Sequence, residues 1–267
     1  MHPTITIAKR AVLSAGKIIL RHYERLEKIT INLKQRNDFV SDVDIQVEQD
    51  IIRTLRKVYP NHTIFAEESG SSTGSDDDCQ WFIDPLDGTT NYLHGFPQFA
   101  VSIAFRYKGR MESGVIYDPL RQEMFTVSRG QGAQLNDRRI RVKSLPSLER
   151  ALLGTGFPFR YPQHQQAYLN MFNSLFDRCS DVRRAGAAAL DLAYVASGRL
   201  DGFWEIGLSA WDVAAGALLV QEAGGLVGDF GGGHDFLETG NIVAGSPRVF
   251  KELLQTIQPH LTPALTR

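Results

Sequence analysis

Apolar residues recur at helical spacing at the start of the chain. Ala8, Ala11, Val12, Ala15, Ile18, Ile19 and Tyr23 share one face, so the first segment reads as an amphipathic helix. A second helix starts near Ser41, carries the stripe Val43, Val47, Ile51, Leu55 and Val58, and ends at Tyr59-Pro60-Asn61. The period then changes to that of strands. Thr63-Ile64-Phe65-Ala66 runs into Glu67-Glu68, and Gln80-Trp81-Phe82-Ile83 runs into Asp84. Between them, residues 70–78 are rich in Gly, Ser and Asp and read as a flexible surface loop with a solvated acidic run.

Strand patterns continue over 99–106, 112–117, 124–127 and 133–135. Turns at Lys108-Gly109, Asp118-Pro119 and Gly130-Gln131-Gly132 separate them, which predicts an antiparallel meander. After Ser144-Leu145-Pro146 strands and helices alternate: strands at 152–154, 202–205 and 241–244, helices at 168–176, 187–197, 211–223 and 247–257. The pattern implies a layered α/β architecture with a seam near residue 145. Residues 1–145 would supply a helix pair and antiparallel sheet, and 146–267 an α/β half completing one compact unit.

The string Asp84-Pro85-Leu86-Asp87-Gly88-Thr89-Thr90-Asn91 carries the chemistry. Pro85 disfavours helical geometry at Asp84, so the strand should deliver Asp84 extended to the sheet rim. Asp87 follows after a turn that Gly88 can close, and Thr89-Thr90-Asn91 can open a short helix. Two carboxylates this close repel each other. Bound cations would turn the repulsion into attraction, and the hydroxyl-rich turn suits a phosphate held against them. The string points to a metal-dependent phosphatase.

Composition narrows this reading. Net charge is −1, which argues against nucleic acid binding driven by bulk charge. The basic cluster at 138–143 reads as solvated surface. The two cysteines, Cys79 and Cys179, form no disulfide framework and fit a reducing compartment. Pro3, Lys9, Arg10 and Lys17 break any signal-peptide pattern, and no apolar run approaches the roughly 18 residues of a membrane span. A cytoplasmic protein without a membrane partner is the expectation.

The string 84–91 resembles the first signature of the inositol monophosphatase family. Trp211-Asp212-Val213-Ala214-Ala215-Gly216 resembles its second, and Glu67-Glu68-Ser69 its glutamate-bearing element, in family order over essentially the whole chain. From Gly154-Thr155-Gly156-Phe157-Pro158 onward the likeness to bacterial members is especially close. The resemblance implies the αβαβα sandwich shared with fructose bisphosphatases. It also implies that Glu67, Asp84 and the Leu86 carbonyl hold a first magnesium, and that Asp84, Asp87 and Asp212 hold a second. Glu67 and Thr89 would orient the attacking water, with Asp44 supporting Thr89. Asp87, Gly88, Thr89, Arg183, Gly186, Ala187, Ala188, Glu205 and Asp212 would contact the substrate, a small phosphate monoester.

An all-oxygen ligand set selects a hard cation, magnesium before zinc or copper. Two divalent ions cancel the four carboxylates and leave a site able to accept a phosphate dianion. Lithium inhibition and a homodimer are further implications of the resemblance. So, for bacterial members, is a part in ribosomal RNA antitermination with RNA polymerase and Nus factors, either beside catalysis or as a non-catalytic adaptor. Bisphosphate nucleotidases carry Lys-Glu where this chain has Thr90-Asn91, and fructose bisphosphatases are longer, so both rank below an inositol monophosphatase. From the residues alone, Glu67, Glu205, Asp44 and Asp212 each keep a second reading. Glu67 and Glu205 end strands, where an acid is commonly just exposed. Asp44 has capping-box spacing from Ser41, and Asp212 lies near a helix start, so each could serve as a helix cap.

Overall fold

The computed structural model of this chain describes the backbone of residues 3–28, 31–35 and 38–266, and the side chains outside 28–40. Two helices, α1 (Pro3–Tyr23) and α2 (Asp42–Arg56), form the outer layer. Each turns its apolar stripe inward: Ile5, Ala8, Val12, Ala15 and Ile19 on α1, and Val43, Val47, Ile51 and Leu55 on α2. The hairpin β1 (Ile31–Gln35) and β2 (Asp38–Ser41) connects them. Ser41 ends β2 and caps α2, with its N–H donated to Asp44 Oδ2 at 2.9 Å.

The helices cover an eight-stranded sheet made of β3 (His62–Ala66), β4 (Gly70–Ser72), β5 (Asp76–Asp87), β6 (Ala100–Tyr107), β7 (Arg110–Asp118), β8 (Glu123–Ser128), β9 (Gly132–Leu135) and β10 (Arg138–Arg139). Its order is β10-β9-β8-β7-β6-β5-β3-β4, with β3 parallel to β5. The meander predicted from the turn signals is present from β6 to β9. The tract at 70–78 departs from the loop expected of its composition. β4 pairs with Ile64–Ala66, and β5 starts at Asp76, opposite His62. Main-chain pairing with an existing strand is open to polar residues too, and composition does not reveal it. At the opposite edge, Asn136 (φ 47°) and Asp137 (φ 63°) form a tight turn of the positive-φ kind. This turn places the exposed Arg138 and Arg139 on an edge strand, where charge discourages further pairing.

The second half builds a five-stranded sheet and four longer helices. Its elements are β11 (Leu152–Thr155), α4 (Gln165–Phe176), β12 (Asp181–Arg183), α5 (Ala188–Ala196), β13 (Gly202–Glu205), α6 (Ala210–Glu222), β14 (Leu226–Gly228), α7 (Phe236–Thr239), β15 (Ile242–Gly245) and α8 (Pro247–Ile257), with α3 (Thr89–Leu93) lying earlier, between β5 and β6. The strand order is β12-β11-β13-β15-β14, parallel at β12-β11-β13 and antiparallel beyond. β12, β14 and α7 are too short to show a sequence period.

Helices α5 and α6 lie between the two sheets, and α4 and α8 cover the far face of the second, giving five αβαβα layers. A helix between two sheets is buried all round, and α6 is, from Asp212 to Val220. Small residues allow the close approach. A Cβ on Gly216 would lie 2.5 Å from Leu192 of α5, and one on Gly114 of β7 would lie 3.0 Å from Ala215. One apolar cluster joins both sides of residue 145, with Phe82, Ile116 and Phe125 beside Leu192, Phe203 and Val213.

Candidate active site

β5 is the long central strand of the first sheet, and its final residues enter a bulge between Asp84 and Asp87. Asp84 is buried, and its Oδ1 accepts the Leu86 N–H at 3.0 Å. Gly88 then turns the chain with φ 90°, where a Cβ would meet the Gln98 carbonyl oxygen at 2.8 Å, so glycine fits on both counts. Thr89 follows at the start of α3. Its Oγ1 lies 2.9 Å from Asp44 Oδ1 and 3.0 Å from the Leu86 carbonyl oxygen, so its single proton has two acceptors. Asn91 ties this turn to the second half by donating to the carbonyls of Ala185 (2.8 Å) and Gly186 (3.2 Å).

The other acids arrive from distant segments. Glu67 extends β3 beside β5, its N–H bonded to the Ile83 carbonyl at 3.2 Å. Asp212 stands in the first turn of α6, where its Oδ2 accepts the Ser209 N–H at 2.7 Å. Asp87 reaches across to the start of α5 and accepts the Ala189 N–H at 2.8 Å. Asp44 and Asp212 therefore do cap their helices, and each also faces the site, Asp44 through Thr89 and Asp212 directly. The cap reading holds for both acids, and the same geometry sets Asp44 against Thr89 and Asp212 on the cleft wall.

These acids line one cleft of about 450 Å³, together with Leu86, Gly88, Thr89, Gly186, Ala187, Ala188 and Glu205. Asp44 sits beneath Thr89 and is wholly buried. Arg183 does not line the cleft. It ends β12 with its side chain exposed, paired to Asp181 at 2.5 Å, while Arg184 lines the cleft instead. Arg184 follows directly after the end of β12, and adjacent residues in extended chain point to opposite sides. Arg184 stacks on Phe157 and Phe159, 5.1 and 5.5 Å from the ring centroids. The 157–161 segment, which carries Arg160 and Tyr161 into the cleft, drew no functional reading from the sequence. Its two aromatics and an arginine between Pro158 and Pro162, with Phe157 just before them, were the available signal.

Electrostatics mark the cleft as strained. Burial raises the Asp84 pKa well above the carboxylate range, and repulsion from Glu67, Asp87 and Asp212 adds to it. Burial and then Asp212 push Asp87 up to about 7, against the pull of the N–H groups of α5. Glu205, held where a Cβ on Gly156 would lie 1.9 Å from its Oε1, is pushed up to about 8 by burial, with Arg184 pulling it back. Burial also raises Asp44, opposed by the bonds from Ser41 and Thr89. A cation near the cluster is Arg160, whose Nη2 lies 3.9 Å from Glu67 Oε1. Carboxylates gathered in one cleft, whose charged forms burial and mutual repulsion disfavour and which include no nitrogen or sulfur donor, fit hard divalent cations.

A different cluster lies elsewhere. Among the described residues, the one group of three whose ligand-type atoms come within 4.8 Å of one another is His62, Asp76 and Cys79, a grouping invisible in their spacing. It sits at the starts of β3 and β5, the strand ends away from the cleft. Trp81 Nε1 donates to His62 Nδ1 at 3.0 Å. To ligate through either nitrogen, the ring would have to give up that bond or lose its second proton. This group reads as a hydrogen-bonded aromatic cluster with Tyr59 stacked on His62, distinct from the acids of the cleft.

A profile of the inositol monophosphatase family matches residues 1–262, and the chain belongs to that family. It is 60% identical to the Nus factor SuhB of Pseudomonas aeruginosa over 271 residues, covering all of both chains. Among solved structures, the extragenic suppressor protein SuhB from Bartonella henselae superposes with a TM-score of 0.94 at 41% identity, over 97% of this chain and 100% of that one. The inositol monophosphatase from Anabaena (Nostoc) gives 0.86 at 38% identity, over 98% of this chain and 96% of that one. The layered fold expected from the sequence is thus the family's fold, and the family supports a phosphatase.

Proposed function

We propose that this protein hydrolyses inositol monophosphate and similar small phosphate monoesters with magnesium bound by Glu67, Asp84, the Leu86 carbonyl, Asp87 and Asp212. The observation that carries the reading is the convergence of these acids, from three separate segments, in one cleft beside the Asp44–Thr89 pair. When bound, magnesium supplies Lewis acidity, activating water and screening charge on the leaving oxygen. Asp44 holds the Thr89 hydroxyl and can take up its proton, so Thr89 orients and relays rather than acting alone as a base. Glu67 shares the orientation of the attacking water. Gly186, Ala187 and Ala188 present main chain to the substrate, and Glu205 stands where a ring hydroxyl would be read. The family likeness supports a homodimer, lithium inhibition and a cytoplasmic setting. Release of phosphate from inositol monophosphate, compared by kcat/KM with a nucleotide bisphosphate and fructose bisphosphate, tests the activity. No magnesium-dependent release from any of them would end this reading.

A second reading rests on the name carried by the Pseudomonas relative, Nus factor SuhB. The protein would take part in ribosomal RNA antitermination with RNA polymerase and Nus factors, on a surface separate from the cleft. Complementing a deletion strain with Asp84→Asn separates the two roles. Full rescue means that the cell needs the assembly, and no rescue means that it needs the chemistry.

A further inference from the structure

Glu48 is the second acid on the inward face of α2, 2% exposed, yet it does not line the cleft. Its Oε2 accepts the Glu68 N–H at 2.7 Å, and its Oε1 accepts the Ser69 N–H at 2.9 Å. Those two amides directly follow Glu67. A buried carboxylate is costly unless it is hydrogen-bonded, and two charge-assisted bonds from successive N–H groups meet that demand. They also fix the orientation of two peptide planes, which a single bond would leave free to rotate. On its other side, the Glu67 N–H is bonded to the Ile83 carbonyl of β5. The backbone around Glu67 is therefore gripped from the sheet and from the helix.

Glu48 lies one helical turn beyond Asp44, the spacing that places two residues on one face of a helix. Asp44 holds the hydroxyl of Thr89, and Glu48 holds the turn that presents Glu67. Helix α2 thereby holds Thr89 through one acid and the turn beside Glu67 through another. The grip has a purpose, because Glu67 and Asp84 repel each other until cations arrive. A turn left to itself would relax that repulsion by moving Glu67 outward.

We propose that Glu48 is a positioning residue: it clamps the 67–69 turn so that Glu67 is already in place when magnesium binds. The proposal rests on the magnesium-dependent reading above. It is tested with Glu48→Gln, which keeps the size but turns an amide donor toward one of the two N–H groups. Loss of a single charge-assisted bond predicts that half-maximal activity needs about tenfold more magnesium. Calorimetric titration with magnesium alone should show the same weakening, while KM for inositol monophosphate at saturating magnesium stays close to that of the wild type. A lower melting temperature with an unchanged magnesium requirement would mean a merely structural role and would overturn the proposal. Wild-type protein that binds no magnesium would instead remove the metal-dependent reading itself. If Glu48→Gln does not fold, amide exchange in the wild type decides. Protection of Glu68 and Ser69 in magnesium-free buffer is expected, and fast exchange there overturns the clamp.

Discussion

Replacing Asp44 by Asn separates the two duties that geometry gives this residue. Asp44 accepts from Ser41 N (2.9 Å) and Ser41 Oγ (2.5 Å) through Oδ2, and from Thr89 Oγ1 (2.9 Å) through Oδ1. An asparagine can keep its carbonyl toward Ser41, which places the amide toward Thr89. The threonine must then accept instead of donate, and its proton turns to the Leu86 carbonyl 3.0 Å away. Weakening charge-assisted bonds costs about 1 kcal/mol, offset in part because a charge is no longer buried. A chain of this size should melt within about 4 °C of the wild type. Loss of the proton relay should lower kcat by about 100-fold or more. Ser41→Ala is the control. It removes a cap worth about 1 kcal/mol but leaves the Thr89–Asp44 bond in place, so it should lower the melting temperature while kcat stays near normal. Phosphate release at saturating magnesium and thermal melts on both variants provide the comparison. Equal kcat losses in the two, or full activity in Asp44→Asn, would refute the relay and leave Asp44 as a helix cap.

Two further outcomes follow from the cleft. Asp87 titrates at about 7 when folded and metal-free, against an ordinary value of 3.8, so the folded chain binds the extra proton between those values. Stability of the metal-free protein should therefore fall as pH rises from about 4 to 7, and magnesium should raise the melting temperature more at pH 8 than at pH 6. A magnesium shift that is larger at pH 6 would contradict this. Gly156→Ala places a Cβ 1.9 Å from Glu205 Oε1, so the Glu205 side chain must move. KM for inositol monophosphate should rise with little change in the magnesium requirement, measured by initial rates, and an unchanged KM would remove Glu205 from the substrate contacts.

The legibility of this chain depended on the length scale of each feature. Long periodic segments such as α1, α2 and the β6–β9 meander declare themselves because a buried face repeats over several turns or strands, and α6 does so as a long apolar run. β4, β10, β12 and β14 span only two or three residues and exist because a neighbouring strand offers main-chain partners, which no local pattern records. At the site, the string 84–91 announced itself by an improbable concentration of acids and hydroxyls. Which of Arg183 and Arg184 faces the cleft was not legible, because they adjoin at the end of a three-residue strand whose alternation cannot be phased from sequence. Glu48 was hidden for a related reason: an acid beside an apolar stripe reads as solvated, and its amide partners lie twenty residues away.

Everything proposed for the cleft requires that Glu67, Asp84, Asp87 and Asp212 form a magnesium site. Calorimetric titration of magnesium into the wild type and into Asp84→Asn, with melting temperatures recorded alongside, tests it most directly. The wild type should bind magnesium and the variant should not, and the metal-free variant should be at least as stable as the wild type, because the cost of burying one repelled carboxylate is gone. Magnesium binding of equal strength in both proteins, or in neither at millimolar metal, would contradict it.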